Sequence, residues 1–292
     1  MISNGKFYES QFEEATIELL REAHWQYAFG DDIHRKYTDP LIEEDLRNFL
    51  AVQYKDKNLT TSEMDSIVAN LRNTGGQNDY YALRNTFLLY RDGYDFAYSD
   101  GRSNPFRLEY IDFEHPDHNI FRCVNQFVME QGRENRPPDI LLFINGIPVC
   151  IIELKNPTKQ NATIHDAHTQ ICTRYMRDIP ALLKYCALAV ISDGAKNALG
   201  ATYTPFEFFY EWKKIENEDK AGKGLDTLRT LIRGAISPER ILEILRDYVY
   251  FPDPTKEDDT TEIVCRYPQF FATRKLRDHI LNHLRSVGGD GK

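Results

Sequence analysis

The spacing of apolar residues predicts helices in the first part of the chain. Apolar positions recur at helical intervals between Glu9 and Trp25, at Phe12, Thr16, Leu19, Leu20 and Ala23. Residues 39–73 predict two more helices, the first opened by Pro40. The second follows a T-T-S-E segment in which Thr60 and Glu63 have the spacing of a capping box.

Shorter apolar runs predict strands in the middle of the chain. Between Ala82 and Gln126 the alternating runs RNTFLLY, FRLEYIDF and FRCVNQFVM are typical of strands. In RPPDILLFINGIPVCIIELKNP, residues 136–157, two apolar runs flank Asn145-Gly146, the dipeptide that most strongly predicts a β-hairpin. Both faces of the second run are apolar, so this strand is predicted to lie inside a covered sheet.

The remaining patterns complete an α/β fold: a mixed sheet that carries the hairpin, flanked by helices and followed by a helical connector. Thr163 to Arg177 predicts a helix, and Tyr185 to Ser192 a buried strand. Leu225 to Tyr248 has helical periodicity, with Ser237-Pro238 starting its second helix. The charged run 212–224 and the turn-rich run 251–262 predict connections.

Composition restricts the protein classes. The five cysteines are scattered and none forms a C-x-x-C pair, which argues against a disulfide framework or a cysteine zinc site and favours a reducing cytoplasm. No apolar run approaches the roughly 20 residues needed to span a bilayer. The net charge of −9 argues against a tight, freestanding DNA binder, because such affinity comes mainly from neutralised phosphates. It is compatible with a nuclease that receives DNA from a partner.

The hairpin also carries the candidate chemistry. Asp139 opens its first strand, whereas Glu153 and Lys155 close its second and share one face. Two carboxylates can hold Mg²⁺ through hard oxygen ligands, and a lysine beside the metal can orient water or stabilise charge on a phosphate. The alternative is a buried Glu–Lys pair with Asp139 capping a strand, since the spacing alone is weak.

Asp139 and Glu153 can share an ion only if the hairpin is irregular. A two-residue Asn145-Gly146 turn in a regular ladder would set Asp139 across from Ile152, and Glu153 would point to the opposite face. We therefore predict one extra residue, either in a three-residue loop or in a bulge, between the two carboxylates.

The hairpin stretch resembles the PD-(D/E)xK nuclease motif of the DNA-translocating, cleaving R subunit of type I restriction enzymes. The resemblance continues in QFEEATIELL, NQFVMEQ, AVISDGAKNALGATYTPFEFFYEWK and RYPQFFATRKLRD, over most of the chain. It implies a PD-(D/E)xK nuclease-like fold and a Mg²⁺-dependent endonuclease that cuts double-stranded DNA within an ATP-driven complex. The partners implied are the methyltransferase and specificity subunits, which would recognise the DNA sequence.

The resemblance also implies roles for individual residues. Asp139 and Glu153 would be metal ligands, Lys155 the catalytic lysine, and Gln170 and Tyr175 an auxiliary pair on the following helix. Residues five apart lie about 140° from each other around an α-helix, so this pair could not point squarely at one atom.

One acid of the first helix has a predicted role beside the metal. Glu13 shares a helical stripe with Ile17 and Leu20, whereas Glu14 lies on a charged stripe, so Glu13 is the acid predicted to point inward. The resemblance implies that Glu13 supports the metal site, with Glu14 as the alternative alignment.

The C-terminal part of the chain contains a candidate adenine contact. Gln269 resembles the glutamine that reads adenine ahead of the family's helicase motor; alternatively it is solvated on an amphipathic helix whose core stripe is Phe270, Phe271 and Leu276. Gly291-Lys292 lacks the other residues of a phosphate-binding loop, so we expect ATP to bind only in the full-length enzyme and this chain to be a fragment.

These patterns predict three regions: residues 1–205 as the endonuclease domain, 206–264 as a helical connector and linker, and 265–292 as the start of the motor. Two other functions stay open, namely a catalytically silent docking module of the motor subunit and a freestanding repair or junction nuclease. The intact Asp139, Glu153 and Lys155 favour the enzyme over the docking module.

Three histidine pairs have metal-ligand spacings but carry no zinc prediction. They are His115 and His118, His165 and His168, and His279 and His283. Each pair lacks an obvious third ligand in the sequence, so we expect no zinc at any of them.

Overall fold

The structure is a computed structural model that describes residues 4–155, 163–216, 222–252 and 260–285. The predicted connections at 212–224 and 251–262 lie partly outside these ranges, and Gly291-Lys292 lies entirely outside them.

The described residues form both helices and strands. The helices are α1 Asn4–Glu22, α2 Glu43–Gln53, α3 Thr61–Asn73, α4 Asp79–Asp92, α5 Ile164–Thr169, α6 Met176–Asp178, α7 Pro180–Leu183, α8 Leu225–Leu231, α9 Pro238–Asp247 and α10 Tyr267–Arg285. The strands are β1 Gln26–Phe29, β2 Tyr94–Phe96, β3 Phe106–Leu108, β4 Phe121–Asn125, β5 Met129–Gln131, β6 Glu134–Arg136, β7 Ile140–Ile144, β8 Ile147–Leu154, β9 Leu188–Ser192, β10 Asn197–Ala201, β11 Val249–Tyr250 and β12 Ile263–Val264. Two π-helical segments, Gln170–Tyr175 and Ile232–Ile236, continue α5 and α8.

Six strands form a mixed central sheet in the order β1-β4-β7-β8-β9-β10. The β1–β4 and β8–β9 pairs are parallel and the other three are antiparallel. Every residue of β7 and β8 is buried, as the apolar character of both faces predicts. The predicted α/β fold with a mixed sheet flanked by helices is therefore confirmed.

Helices cover both faces of this sheet. On one face, alternate residues of β7, including Ile140 and Leu142, belong to a hydrophobic core that also contains side chains of α1 to α4, α8 and α9. On the other face, Leu141 and Phe143 share a core with residues of α5, α7 and the first π-helical segment. The two faces of β7 therefore belong to two separate hydrophobic cores.

The Asn145-Gly146 turn is buried. Both residues have positive φ, 51° and 76°, as a two-residue hairpin turn requires. The Asn145 amide accepts a hydrogen bond from the backbone N–H of Ile120 and donates one to the carbonyl of Tyr110. The Gly146 carbonyl accepts the backbone N–H of Ile42 at 2.9 Å, which fixes the start of α2 against the turn.

The hairpin contains the predicted irregularity, in the form of a β-bulge. Leu142 pairs with Cys150, but the next residue, Phe143, pairs with Pro148, so Val149 is the extra residue. Beyond the bulge Ile140 pairs with Ile152, and continuing that register sets Asp139 across from Glu153. The prediction of one extra residue between the two carboxylates is confirmed.

Two predictions of local secondary structure were wrong. The run RNTFLLY lies in α4 rather than in a strand, because its large side chains follow a helical stripe that is buried at Tyr80, Leu83, Phe87 and Tyr90. In addition, Asn78 caps this helix by accepting the backbone N–H of Tyr81. Helix α2 begins at Glu43 rather than at Pro40.

Other predicted elements are confirmed. The capping box of α3 is present, with the Glu63 carboxylate accepting the Thr60 N–H at 2.9 Å. Pro238 stands in the first turn of α9. The Trp25 indole N–H donates to the carbonyl of Ile236, so the second π-helical segment packs against the start of β1.

The turn predicts a matched pair of stability measurements. Gly146→Ala should lower the free energy of unfolding by about 2–5 kcal/mol, because a methyl group would clash with the Ile42 carbonyl oxygen at a positive φ. Gly132→Ala is the control: its φ is 64°, and an added methyl group meets nothing within 4 Å. Gly132→Ala should lower the free energy of unfolding by about 1 kcal/mol. Equal losses in urea unfolding would show that the turn is not constrained by Ile42.

Candidate active site

A compact polar cluster lies where β8 ends. The backbone N–H of Leu154 donates to Asp139 Oδ2 at 2.7 Å, which holds this carboxylate against the neighbouring strand. The Lys155 ammonium donates to Glu153 Oε1 at 2.8 Å and to Gln170 Oε1 at 2.6 Å. These contacts bring four of the residues singled out in the sequence to one place.

Glu153 is the most buried acid of this cluster. Its side chain is 1% exposed, and Oε2 has no hydrogen-bond partner among the described residues. Burial raises the pKa of Glu153 to about 8, and the nearby Asp139 adds to the shift, although Lys155 opposes it. Burial therefore favours the protonated form of this carboxyl when no cation is bound.

The helix that covers the cluster is π-helical over Gln170–Tyr175. A π-helix pairs residues i and i+5, which an α-helix sets about 140° apart. The Gln170 amide accordingly donates to the Tyr175 hydroxyl at 2.7 Å. The assumption of α-helical geometry between these two residues was wrong, because the π-helical segment brings their side chains into contact.

Tyr175 faces the carboxylates from the core side. Its side chain is 3% exposed, and burial, followed by Glu153, raises the pKa of its hydroxyl. The hydroxyl therefore stays protonated and can donate a hydrogen bond towards the acids.

Glu13 points inward from α1, as the helical stripe predicted, whereas Glu14 is exposed. Its carboxylate accepts the Asn125 amide at 2.7 Å, and the Gln126 amide lies 3.3 Å from Oε2. The backbone N–H of Gln126 in turn donates to the Asp139 carbonyl at 3.3 Å. Glu13 thus reaches the cluster through Asn125 and Gln126, two residues to which the sequence analysis gave no role.

The described acids do not all converge on one point. Oxygens of Glu13, Asp139 and Glu153 do not form a group in which all lie within 4.8 Å of one another. Direct ligation by Glu13 therefore stays a prediction. The described contacts support it as a residue that positions the Asp139 end of β7.

Gln269 lies apart from this cluster, in the first turn of α10. Its side-chain oxygen accepts the backbone N–H of Arg266 at 2.8 Å, and the residue is exposed. It borders a cavity of about 210 Å³ into which Glu262 also faces. Of the residues expected to form the core stripe of this helix, Phe270 is fully buried. Leu276 is 60% exposed, so the expectation that Leu276 belongs to the core was wrong.

The first histidine pair acquires a partner that the sequence analysis missed. Asp112, His115 and His118 bring one ligand atom each to within 4.8 Å of one another. The regular spacing D-x-x-H-x-x-H was the available signal. The expectation that this pair lacks a third ligand was therefore wrong. No third ligand of this kind joins His165 and His168 or His279 and His283 among the described residues.

Comparisons with known proteins identify the family of this chain. Residues 6–208 match the family described as the type I restriction enzyme R protein N terminus. The chain is 29% identical over 283 residues to the type I restriction enzyme HindI endonuclease subunit of Haemophilus influenzae, covering 92% of this chain and 26% of that protein. It is 27% identical over 293 residues to the putative type I restriction enzyme MjaIXP endonuclease subunit of Methanocaldococcus jannaschii, covering 92% and 27%. The chain thus spans about a quarter of the length of these relatives.

The raised pKa of Glu153 predicts a pH-dependent cost to the fold. As the pH rises from about 4.5 to about 8, the unfolded chain loses a proton that the folded chain keeps, so this group lowers the free energy of unfolding. Glu153→Gln removes that titration. In EDTA, the variant should therefore gain stability relative to the wild type between pH 5 and pH 9, by an amount on the order of a few kcal/mol.

Urea unfolding at several pH values measures this difference. Glu14→Gln, the same change at an exposed acid of α1, is the matched control. If the difference between Glu153→Gln and the wild type were the same at pH 5 and pH 9, the buried carboxyl would not have the raised pKa.

Proposed function

Because the chain belongs to the type I restriction enzyme R protein family and matches its N-terminal region, we propose that it is a Mg²⁺-dependent endonuclease domain that hydrolyses phosphodiester bonds of double-stranded DNA. One observation carries the proposal: the β-bulge at Val149 sets Asp139 opposite Glu153 on the face that Lys155, Gln170 and Tyr175 also reach.

The donor set fits a hard divalent cation. Directly opposed residues of an antiparallel pair have Cβ atoms about 4.5–5.5 Å apart, so the carboxylates of Asp139 and Glu153 can reach one ion. The unpartnered, buried Oε2 of Glu153 supports this fit, since a buried carboxylate oxygen is costly unless it is bound. Bound there, Mg²⁺ would polarise a phosphate oxygen and promote ionisation of a water.

Lys155 holds the remaining Glu153 oxygen and provides positive charge beside the phosphate. Its side chain is 14% exposed, and its ammonium is shared between Glu153 and Gln170. An ammonium fixed in this way can orient the attacking water or stabilise the charge that develops on the phosphate. We propose Lys155 as the catalytic lysine.

Gln170 and Tyr175 fix Lys155 from the other side. The Tyr175 hydroxyl accepts the Gln170 amide N–H, so the Gln170 oxygen is turned towards the Lys155 ammonium at 2.6 Å. The pair therefore defines which way the amide points. We propose that both residues position the lysine rather than contact the reacting atoms.

The proposed partners and cellular location follow from the family. We propose that the DNA is delivered by an ATP-driven motor with methyltransferase and specificity subunits, and that the complex works in the cytoplasm. Division of labour with such subunits fits the net charge of −9. The described cysteines are free, and none of the described helices has the length and apolar content to cross a membrane.

We further propose the three regions expected from the sequence, namely 1–205, 206–264 and 265–292. The candidate nuclease residues, Glu13 to Tyr175, all fall in the first region. Gln269, the candidate adenine contact, falls in the third, beside the cavity that Glu262 borders.

Cleavage by the full-length subunit, assembled with its partners, tests the proposal. Asp139→Ala, Glu153→Ala and Lys155→Ala should each abolish DNA cutting while ATP hydrolysis continues, because the candidate nucleotide contact lies elsewhere. Lys184→Met is the control: Lys184 is another half-buried lysine, and it donates to the carbonyls of Arg72 and Thr74 outside the cluster. Normal cutting by Lys155→Ala would refute the catalytic assignment of the lysine, and normal cutting by all three variants would favour the silent docking module.

The positioning role of Tyr175 predicts a smaller effect. Tyr175→Phe keeps the ring in the core but removes the hydroxyl that orients Gln170, so cutting should slow about tenfold with DNA binding unchanged. Tyr185→Phe is the matched control, since its hydroxyl also lies in the core but contacts the Leu71 carbonyl. Equal rates for the two variants would exclude a role for the Tyr175 hydroxyl.

A further inference from the structure

A second polar cluster lies in the loop between β3 and β4. His115 Nδ1 and His118 Nδ1 lie 3.3 Å and 2.9 Å from the same oxygen, Oδ2 of Asp112. The two imidazole rings are stacked, with centroids 4.8 Å apart and planes at 22°. Three atoms that ligate metals therefore face one small volume.

We propose that Asp112, His115 and His118 bind a divalent transition-metal ion such as Zn²⁺, with solvent completing the coordination. Zinc bonds to imidazole nitrogen and carboxylate oxygen are about 2.0–2.2 Å long, which in a tetrahedron separates neighbouring ligand atoms by roughly 3.3 Å. The observed separations of 2.9 Å and 3.3 Å are close to that value. Two imidazoles and one carboxylate are ligands that suit zinc, iron or nickel better than Mg²⁺.

The carboxylate of this site is fixed before any ion binds. Asp112 is buried, and its Oδ1 accepts the backbone N–H groups of Glu114 and His115 at 3.0 Å and 2.9 Å. The Gln53 amide donates to Oδ2 at 3.1 Å. These three hydrogen bonds fix the orientation of the Asp112 carboxylate.

The local backbone sets the histidines side by side. Pro116–His118 is a 3₁₀ turn, in which residues i and i+3 eclipse each other. His115 and His118 have that spacing, and their side chains are 64% and 49% exposed. The ion would therefore keep a face open to solvent for further ligands.

The charge around the cluster favours a cation. Residues 108–121 carry four acids, Glu109, Asp112, Glu114 and Asp117, and no lysine or arginine. Burial, followed by the charge of Asp112, raises the pKa of Glu109, whereas Arg107 opposes the shift. Described cations beside the loop include Arg107 of β3 and Arg246 of α9, whose guanidinium lies 3.6 Å from Glu114 Oε1 and 3.0 Å from Asp247 Oδ2.

This cluster is separate from the candidate active site. Asn119 contacts both Asp112 and Asn145, so the cluster lies at the turn end of the hairpin. Asp139 lies at the opposite end of β7, and five residues at about 3.4 Å each span roughly 17 Å. Ions at the two sites can therefore be distinguished by variants.

Titration of the metal-free 292-residue chain with CoCl₂ tests the proposal, with ZnCl₂ as the competing ion. The Glu153→Gln background weakens the hairpin site and leaves Asp112 unchanged. We expect one saturable Co²⁺ ion with visible ligand-field absorption that Zn²⁺ displaces. His115→Ala/His118→Ala should weaken this binding by about tenfold or more, because two of the three protein ligands are lost. Both side chains are exposed, so the fold should persist, as urea unfolding would verify.

The matched control is His279→Ala/His283→Ala. These rings also lie close, with centroids 4.0 Å apart, but no third ligand joins them among the described residues. The control should bind Co²⁺ like its parent, and ZnCl₂ should raise the melting temperature of parent and control but not that of His115→Ala/His118→Ala. Equal Co²⁺ affinity in the two double variants, or no saturable binding by the parent, would refute the site.

Discussion

Strict alternation of side chains along paired strands is the constraint on which the candidate active site depends. In a regular ladder, Asp139 would face Ile152 and its carboxylate would lie on the opposite side of the sheet from Glu153. The single extra residue, Val149, reverses that relation without changing the buried two-residue turn. Because both faces of β7 and β8 are packed under helices, the sheet cannot slip to relieve the bulge.

The same logic applies to the helix that covers the cluster. An α-helix would turn Gln170 and Tyr175 away from each other, and the π-helical segment brings them onto one side. Gln170 then links Tyr175 in the core to Lys155 at the end of β8. Two local departures from regular geometry, one in the sheet and one in the helix, are thus what assemble this polar group.

This assembly is costly for the fold in the absence of a cation. Glu153 is buried with one oxygen unpartnered, and its pKa of about 8 means that ionising it at neutral pH takes free energy from the folded state. An ion that binds both carboxylates would offset this cost. The loop at the other end of the hairpin differs, because several hydrogen-bond donors hold the Asp112 carboxylate.

The sequence alone determined the elements whose signals are local. Asn145-Gly146 predicted the hairpin, Thr60 and Glu63 the capped helix, and the parity of Asp139 and Glu153 the need for an extra residue. The motif around them identified the family. Long apolar runs specify strands and helices through their own periodicity, so these features need no distant contact.

Only the tertiary structure decided the rest, because distant packing selects among local alternatives. Residues 84–90 alternate like a strand, yet burial of Phe87 and Tyr90 in the core makes them helical. The sequence required one extra residue but did not decide between a longer loop and a bulge at Val149, and it gave no sign of the π-helical segment. Asn125 and Gln126 reach Glu13 from 112 and 113 residues away, and Asp112 meets two histidines only because the loop folds back on itself. Such contacts depend on where whole elements pack, which no local pattern encodes.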